Sequence, residues 1–217
     1  MDTLQLVLLS VIQGLTEFLP VSSSAHLVLL SEFLRQEDQG IIFDVGVHFG
    51  TLIAAIVYFR SDIKTMLINL ISEKLASPGN NLAINLVVAV FPILLAGFFL
   101  RDSIDLKLRN SEVIAYATIL FGLLLYLAQL NKGKEDVDFL SLPRAFVIGL
   151  FQCLALIPGT SRSGITITAG LFLGLSATAA SRFSFLLAIP TIGAIALVEL
   201  VRFSFLDLSQ NGIELLI

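Results

Sequence analysis

The chain has 217 residues, of which 56% are hydrophobic and 14% charged, whereas a soluble domain carries roughly 25% charged residues. Mean hydropathy of +0.93 and a net charge of −4 exclude a disordered tail, a fibre and a nucleic-acid-binding arm. The single cysteine, Cys153, has no partner, which excludes disulfides and thiolate metal sites. The composition predicts an all-α, polytopic membrane protein without a nucleic-acid partner.

The first apolar stretch, Thr3–Leu19, is short, contains Gln13 and Glu17, and ends at Pro20. An apolar run resumes only after a polar cluster formed by Ser22, Ser23, Ser24 and His26. We therefore predict two half-helices joined at a break. Irregular backbone at membrane depth is tolerated where protein or a water-filled cavity surrounds it, so this break is expected to point inward.

Gln13 and Glu17 are four residues apart and lie on one face of the first half-helix, directed toward the polar cluster. The carboxylate is suited either to bind a divalent cation or to accept a proton. His26 would by itself be a hydrogen-bonded core histidine, and serines beside a proline are often local backbone caps. The cluster is therefore more informative than any one of its members.

Four later runs are predicted to cross the membrane, since their lengths approach the roughly 20 residues that span a bilayer. They are Ile41–Phe59, Leu82–Leu100, Val113–Leu130 and Phe183–Val198. The first of them contains His48, which we interpret as a hydrogen-bonded core histidine because no motif surrounds it.

The polar segments between these runs carry equal positive charge. Arg60–Asn81, Arg101–Glu112 and Asn131–Arg144 each contain three Lys or Arg residues. The excess of positive charge that marks cytoplasmic loops therefore does not fix the orientation.

A second break follows the apolar run Ala145–Ile157, which stops at Pro158 and Gly159. A half-helix is predicted to begin near Gly164, with free backbone N–H groups that favour an anion. Arg162 offers a planar fork of donors suited to phosphate oxygens. The neighbouring hydroxyls are those of Ser161, Ser163 and Thr166. A structural ion pair between Arg162 and Glu17 is the alternative interpretation.

An internal repeat relates the two breaks, because a shift of about 138 positions places Pro20 on Pro158 and Ser23 on Ser161. We predict one membrane domain, 1–217, with inverted-topology repeats at about 1–130 and about 144–217. The two breaks are expected to meet in one site. The second repeat is the shorter, and we expect two helices of about 50 residues in total to be absent from its end.

Two runs carry a resemblance to a known family. Gln13-Gly-Leu-Thr-Glu17-Phe-Leu-Pro20-Val-Ser-Ser23-Ser-Ala-His26 and Pro158-Gly-Thr-Ser-Arg162-Ser-Gly-Ile-Thr166 resemble the signature motifs of undecaprenyl-diphosphate phosphatases, the bacitracin-resistance family. The resemblance extends over Phe183–Pro190. It implies hydrolysis of undecaprenyl diphosphate to undecaprenyl phosphate for cell-wall synthesis, with Mg²⁺ or Ca²⁺, in the bacterial cytoplasmic membrane and with the site opening to the outer face.

The residues of the two motifs can be assigned roles in this chemistry. Glu17 would recruit the cation, with Gln13 as a second ligand. Ser23 would be the nucleophile and His26 its base, although direct attack by His26 or activation of water stays open. Arg162 would hold the diphosphate. The proposed substrate-binding hydroxyls are those of Ser22, Ser24, Ser161, Ser163 and Thr166.

Two other functions stay open at this point. Broken helices that meet at the midplane are also typical of transporters, so a flippase of an anionic prenyl lipid is one alternative. An inactive, shortened paralogue is the other. The sequence also leaves a homodimer open.

Overall fold

The computed structural model describes residues 3–35, 39–71, 81–108, 110–131 and 133–214. The described part of the chain is helical, and its only β structure is an isolated bridge between Glu135 and Leu175. The helices are α1 (Thr3–Thr16), α2 (Ser23–Phe33), α3 (Ile41–Tyr58), α4 (Arg60–Ile71), α5 (Leu82–Lys107), α6 (Ser111–Gln129), α7 (Leu142–Gln152), α8 (Arg162–Phe172) and α9 (Ala177–Glu214), with 3₁₀ turns at Val137–Phe139 and Cys153–Leu156.

Three segments of the described helices are long and apolar enough to cross a membrane: Leu82–Leu100, Ser111–Gln129 and Ala177–Val201. A fourth apolar unit is formed by α3 and α4, which are bent by 72° at Phe59. All four runs predicted to span are therefore helical. The prediction of an all-α, polytopic membrane protein is confirmed.

Two polar segments are more helical than the sequence indicates. The segment Arg60–Asn81 begins with α4, and α5 continues past Leu100 to Lys107. Apolar residues recur in α4 at helical spacing, and Met66 packs against the main core. This amphipathic pattern stabilises a helix although its mean hydropathy is too low to indicate a membrane span.

Both predicted breaks are present in the fold. The first lies between α1 and α2, where Ser22 adopts a left-handed φ of 61°. The second lies between α7 and α8, where Gly159 has a φ of 92°. A side chain at Gly159 would meet the backbone of Ile114 on α6, so both the backbone conformation and the close approach favour glycine.

The main hydrophobic core is built from α5, α7, α8 and α9, and its fully buried members include Ile148, Phe183 and Leu187. Gly149 lets α7 approach the backbone of α5 at Ala89, since a Cβ there would overlap the Ala89 carbonyl. This packing supports α8, and with it the second break.

Candidate active site

The two breaks lie against each other. The carbonyl oxygen of Leu19, in the first break, accepts hydrogen bonds from Ser163 Oγ at 2.8 Å and from Ser161 Oγ at 3.4 Å in the second. The same carbonyl also accepts from the backbone N–H of Val21 at 2.8 Å, so the two hydroxyls add to a turn bond within the first break. The structure therefore brings the two motifs together, while the internal repeat stays a prediction.

Glu17 lies at the centre of this junction and is only 7% exposed. Its Oε1 accepts from Arg162 Nη2 at 2.7 Å, and its Oε2 accepts from Gln13 Nε2 at 2.8 Å and from Ser23 Oγ at 2.6 Å. His48 Nε2 lies 3.4 Å from the same Oε2. One buried carboxylate thus connects side chains from α1, α2, α3 and α8.

Arg162 retains donors for a ligand after it has paired with Glu17. Its Nη1 donates to the backbone oxygen of Ser184 on α9 at 3.2 Å. A guanidinium carries five N–H groups, and these contacts use two of them. The Arg162 side chain is 13% exposed, so the pair is not sealed from the surroundings.

Ser23 and Arg162 are the first residues of their half-helices, α2 and α8. Two helix N-termini therefore converge on the junction, and each presents backbone N–H groups without intrahelical partners. The aligned peptide dipoles make such a place favourable for an anion. The α8 helix begins at Arg162, two residues before the predicted start near Gly164.

The hydroxyl of Ser23 is directed at Glu17 and not at His26. His26 is exposed, and its Nδ1 bonds to the backbone oxygen of Ser22, four residues earlier in the chain, at 2.9 Å. That bond draws the imidazole back along α2. No hydrogen bond joins Ser23 to His26 in the described part of the chain, and a base role for His26 stays a prediction.

The hydroxyls of the second break are engaged within the protein. Ser161 caps α8 by accepting from the backbone N–H of Gly164 at 3.1 Å. Ser163 and Thr166 are buried, and Thr166 Oγ1 donates to Ser184 Oγ at 2.7 Å. These groups hold α8 and Arg162 in place, and direct contact between them and a phosphate stays a prediction.

The flanking serines of the first break differ in exposure. Ser22 is buried, whereas Ser24 is exposed, and their Oγ atoms are 3.4 Å apart. Ser24 is therefore accessible to a ligand, whereas Ser22 shapes the turn through its left-handed backbone. Their predicted role in substrate binding is untested.

Comparison with known proteins agrees with the motifs. The family model "Bacitracin resistance protein BacA" matches residues 6–216. The chain belongs to this family. It is 50% identical over 215 residues to "Undecaprenyl-diphosphatase" of Hahella chejuensis, covering 98% of this chain and 79% of the relative. It is 48% identical over 212 residues to the protein of the same name from Marinobacter nauticus, covering 95% of this chain and 80% of the relative.

Two residues of this BacA-family site were not predicted as site residues from the sequence. His48 lies far from both motifs in the chain, and only the packing of α3 brings it to Glu17. Ser184 contacts the site partly through its backbone oxygen. Any residue type can supply such an oxygen, so the sequence does not indicate this contact. The position of Ser184 within the run Phe183–Pro190 is the one available hint.

The residues of the site partly fit a divalent cation. Gln13 Oε1 is buried and has no hydrogen-bond partner among the residues that the structure describes, and an amide oxygen is a ligand that Mg²⁺ and Ca²⁺ accept. Glu17 already receives N–H and O–H donors on both oxygens. Within the described residues no group of three or more His, Cys, Asp or Glu side chains could enclose a metal. Among the described residues, Gln13 Oε1 and Glu17 are the oxygen ligands that the first motif offers a cation, and the cation stays a prediction.

Proposed function

We propose that this protein hydrolyses undecaprenyl diphosphate to undecaprenyl phosphate and inorganic phosphate. The observation that carries the proposal is the contact between the Ser23 hydroxyl and the Glu17 carboxylate, 2.6 Å apart at a junction of two helix N-termini. A hydroxyl that donates to a fixed carboxylate is prepared for nucleophilic attack. Membership of the BacA family, with relatives named undecaprenyl-diphosphatase, supplies the substrate.

In the proposed reaction, Ser23 Oγ attacks the terminal phosphorus and its proton passes to Glu17 Oε2. The bond from that phosphorus to the bridging oxygen breaks, and undecaprenyl phosphate leaves with the electron pair. Water then attacks the phosphoserine, and Ser23 regains a proton as phosphate departs. Attack by His26 or by water directly would leave no phosphoserine, so trapping of that species distinguishes the routes.

Phosphoryl transfer depends mainly on positioning and neutralisation of charge. The unused N–H groups of Arg162 and the backbone N–H groups of α2 and α8 face the developing charge in this proposal. A bound Mg²⁺ or Ca²⁺ would supply further positive charge, with Gln13 Oε1 and Glu17 as its protein ligands. The prenyl tail would extend between helices into the lipid, where an apolar chain is favourably solvated.

We place the protein in the bacterial cytoplasmic membrane with the site open to the outer face, in line with the resemblance. Recycling of the lipid carrier for cell-wall synthesis, and with it resistance to bacitracin, follows from that placement.

The test is phosphate release from a prenyl diphosphate by the purified protein in detergent. Ser23→Ala is expected to remove release and phosphoserine formation together. Ser10→Ala is the matched control, because Ser10 is half-buried on α1 and its hydroxyl, among the described residues, bonds to the Leu6 carbonyl alone, at 2.8 Å. Release at near-normal rates by Ser23→Ala would refute Ser23 as the nucleophile. Movement of the lipid across vesicles without phosphate release would replace the proposal with a transporter.

A further inference from the structure

An apolar groove lies at the bend between α3 and α4, outside the candidate active site. The two helices are bent by 72° at Phe59, and the groove has a volume of about 310 Å³. Four apolar and two basic side chains from both helices line this elbow groove: Ile56, Ile63, Leu67 and Ile68, with Arg60 and Lys64. None of them belongs to either motif, so the proposed chemistry leaves the groove without a role.

Contacts on the opposite face of α4 fix the orientation of this helix. Asp62 pairs with Arg182 on α9 at 2.6 Å, and Met66, one turn later, packs against the main core. At 3.6 residues per turn, Asp62 lies about 200° around the helix from both Arg60 and Lys64. The two basic side chains are therefore exposed, on the face directed away from the core.

The two basic side chains retain donors for an anion. In the part of the chain that the structure describes, neither of them pairs with an acidic group. Arg60 Nη1 donates to the Val57 carbonyl at the end of α3, at 3.0 Å, and the other N–H groups of the guanidinium stay available.

Helix stability does not account for these two cations. Arg60 and Lys64 are four residues apart on one face, where like charges repel. Both also lie near the N-terminus of α4, where the peptide dipole disfavours positive charge. An anion bound between them would offset both effects.

The remainder of the groove suits an acyl chain. Ile56 is 42% exposed, Leu67 54% and Ile68 53%, and such side chains contact hydrocarbon in a polytopic membrane protein. The long stems of arginine and lysine allow their charges to reach the lipid headgroups beside such an apolar surface. Guanidinium and ammonium groups both bind phosphate oxygens. This combination fits a ligand that carries a phosphate and an acyl chain together.

We propose that the elbow groove binds an anionic phospholipid of the surrounding bilayer. Arg60 and Lys64 bind the phosphate, and an acyl chain lies along Ile63 and Leu67. A basic residue near the membrane surface favours anionic lipid by about fivefold, so the two together give a preference of up to about thirtyfold over a lipid without net charge. The site does not depend on the proposed hydrolysis.

The test uses tryptophan fluorescence, because the chain has no tryptophan of its own. Leu67→Trp and Ile68→Trp each place a reporter in the groove, whereas Leu123→Trp, at an exposed position on α6, reports on lipid elsewhere. Each protein is reconstituted in vesicles of phosphatidylcholine and phosphatidylglycerol, with bromine on the acyl chains of one lipid or the other. Bromine quenches nearby tryptophan, so the two quenching curves give the relative affinity of the two lipids.

We expect both groove reporters to prefer phosphatidylglycerol by about tenfold or more, and Leu123→Trp to show a preference of less than about twofold. Glycerol phosphate, which has the headgroup without the chains, should not restore the fluorescence. Equal quenching by the two lipids in the groove reporters, or the same preference in Leu123→Trp, would overturn the proposal. Restoration by glycerol phosphate would replace the lipid with a free phosphate.

Charge variants test the two basic residues directly. In the Leu67→Trp protein, Arg60→Gln with Lys64→Gln should abolish the preference. Arg35→Gln with Lys134→Gln is the matched control, because it changes the net charge equally at two exposed positions and should retain the preference. A preference that survives the loss of Arg60 and Lys64 would overturn the proposal. Weak quenching by both lipids, with the mass of a dimer in detergent, would also overturn it and assign the groove to a second copy of the chain.

Discussion

The ion pair between Arg162 and Glu17 predicts a large loss of stability when the arginine is removed. Arg162→Ala deletes the 2.7 Å bond to Glu17 and the 3.2 Å bond to Ser184. The carboxylate that remains is 7% exposed. Breaking a buried pair by removing one partner costs about 3–5 kcal/mol, because a charge is left buried without compensation. Since Gln13 and Ser23 still donate to Glu17, we expect about 3 kcal/mol.

The chain offers a matched control in a second arginine. Arg182 Nη2 lies 2.6 Å from Asp62 Oδ1, a geometry close to that of the Arg162 pair. Its side chain is 42% exposed and that of Asp62 is 25% exposed. Exposed pairs contribute about 0.2–1 kcal/mol, so Arg182→Ala is expected to cost at most about 1 kcal/mol. The two pairs have similar distances and differ in burial, while Arg162→Ala also removes the bond to Ser184.

The assay is thermal unfolding in detergent, followed by far-ultraviolet circular dichroism because the chain has no tryptophan. For a protein of this size, 1 kcal/mol shifts Tm by about 2–4 °C. Arg162→Ala is therefore expected to lower Tm by about 6–12 °C, and Arg182→Ala by at most about 4 °C. Glu17→Gln in the Arg162→Ala background is expected to restore part of the loss by removing the unpaired charge. Equal shifts for the two arginines, or no restoration by Glu17→Gln, would refute the argument.

Three further outcomes are expected. Gly149→Ala should destabilise the protein by about 1–3 kcal/mol because the new Cβ overlaps the Ala89 carbonyl. In the control, Gly97→Ala, the new Cβ meets only a side-chain atom at 3.9 Å, so Tm should stay unchanged or rise. Similar losses of stability in the two variants would refute the packing argument. Thr166→Val removes the hydroxyl that donates to the buried Ser184 Oγ and should lower Tm. Thr166→Ser keeps a hydroxyl and should retain most of the stability. Equal melting temperatures of the two variants would contradict a stabilising role for this hydrogen bond. EDTA should stop phosphate release and added Mg²⁺ or Ca²⁺ should restore it; full activity in EDTA would refute the cation.

The helices and breaks were predictable from the sequence because their signals are local. A run of apolar residues near the length of a bilayer predicts a span, and proline and glycine followed by polar residues predict an interruption. Helix α4 was missed because its apolar face is narrow and its average hydropathy is low. Only its packing against the core, for example through Met66, makes it part of the fold.

The partners of each site residue were less predictable than the site itself. Ser23 and His26 are three residues apart on α2, which favoured their pairing, yet the Ser23 hydroxyl bonds to Glu17. That choice depends on the path of the chain through the first break, where Ser22 takes a left-handed conformation. His48 had no sequence signal, because its contact with Glu17 depends on where α3 packs.

In the proposed mechanism, Glu17 serves both catalysis and folding, which constrains how variants of this site are to be interpreted. In the proposed reaction it accepts the Ser23 proton, and in the fold it binds the two breaks together through Arg162. A bound diphosphate would draw on the same guanidinium, whose unused N–H groups allow it to hold the substrate without releasing Glu17. Loss of activity in an Arg162 variant therefore combines weaker substrate binding with a displaced base.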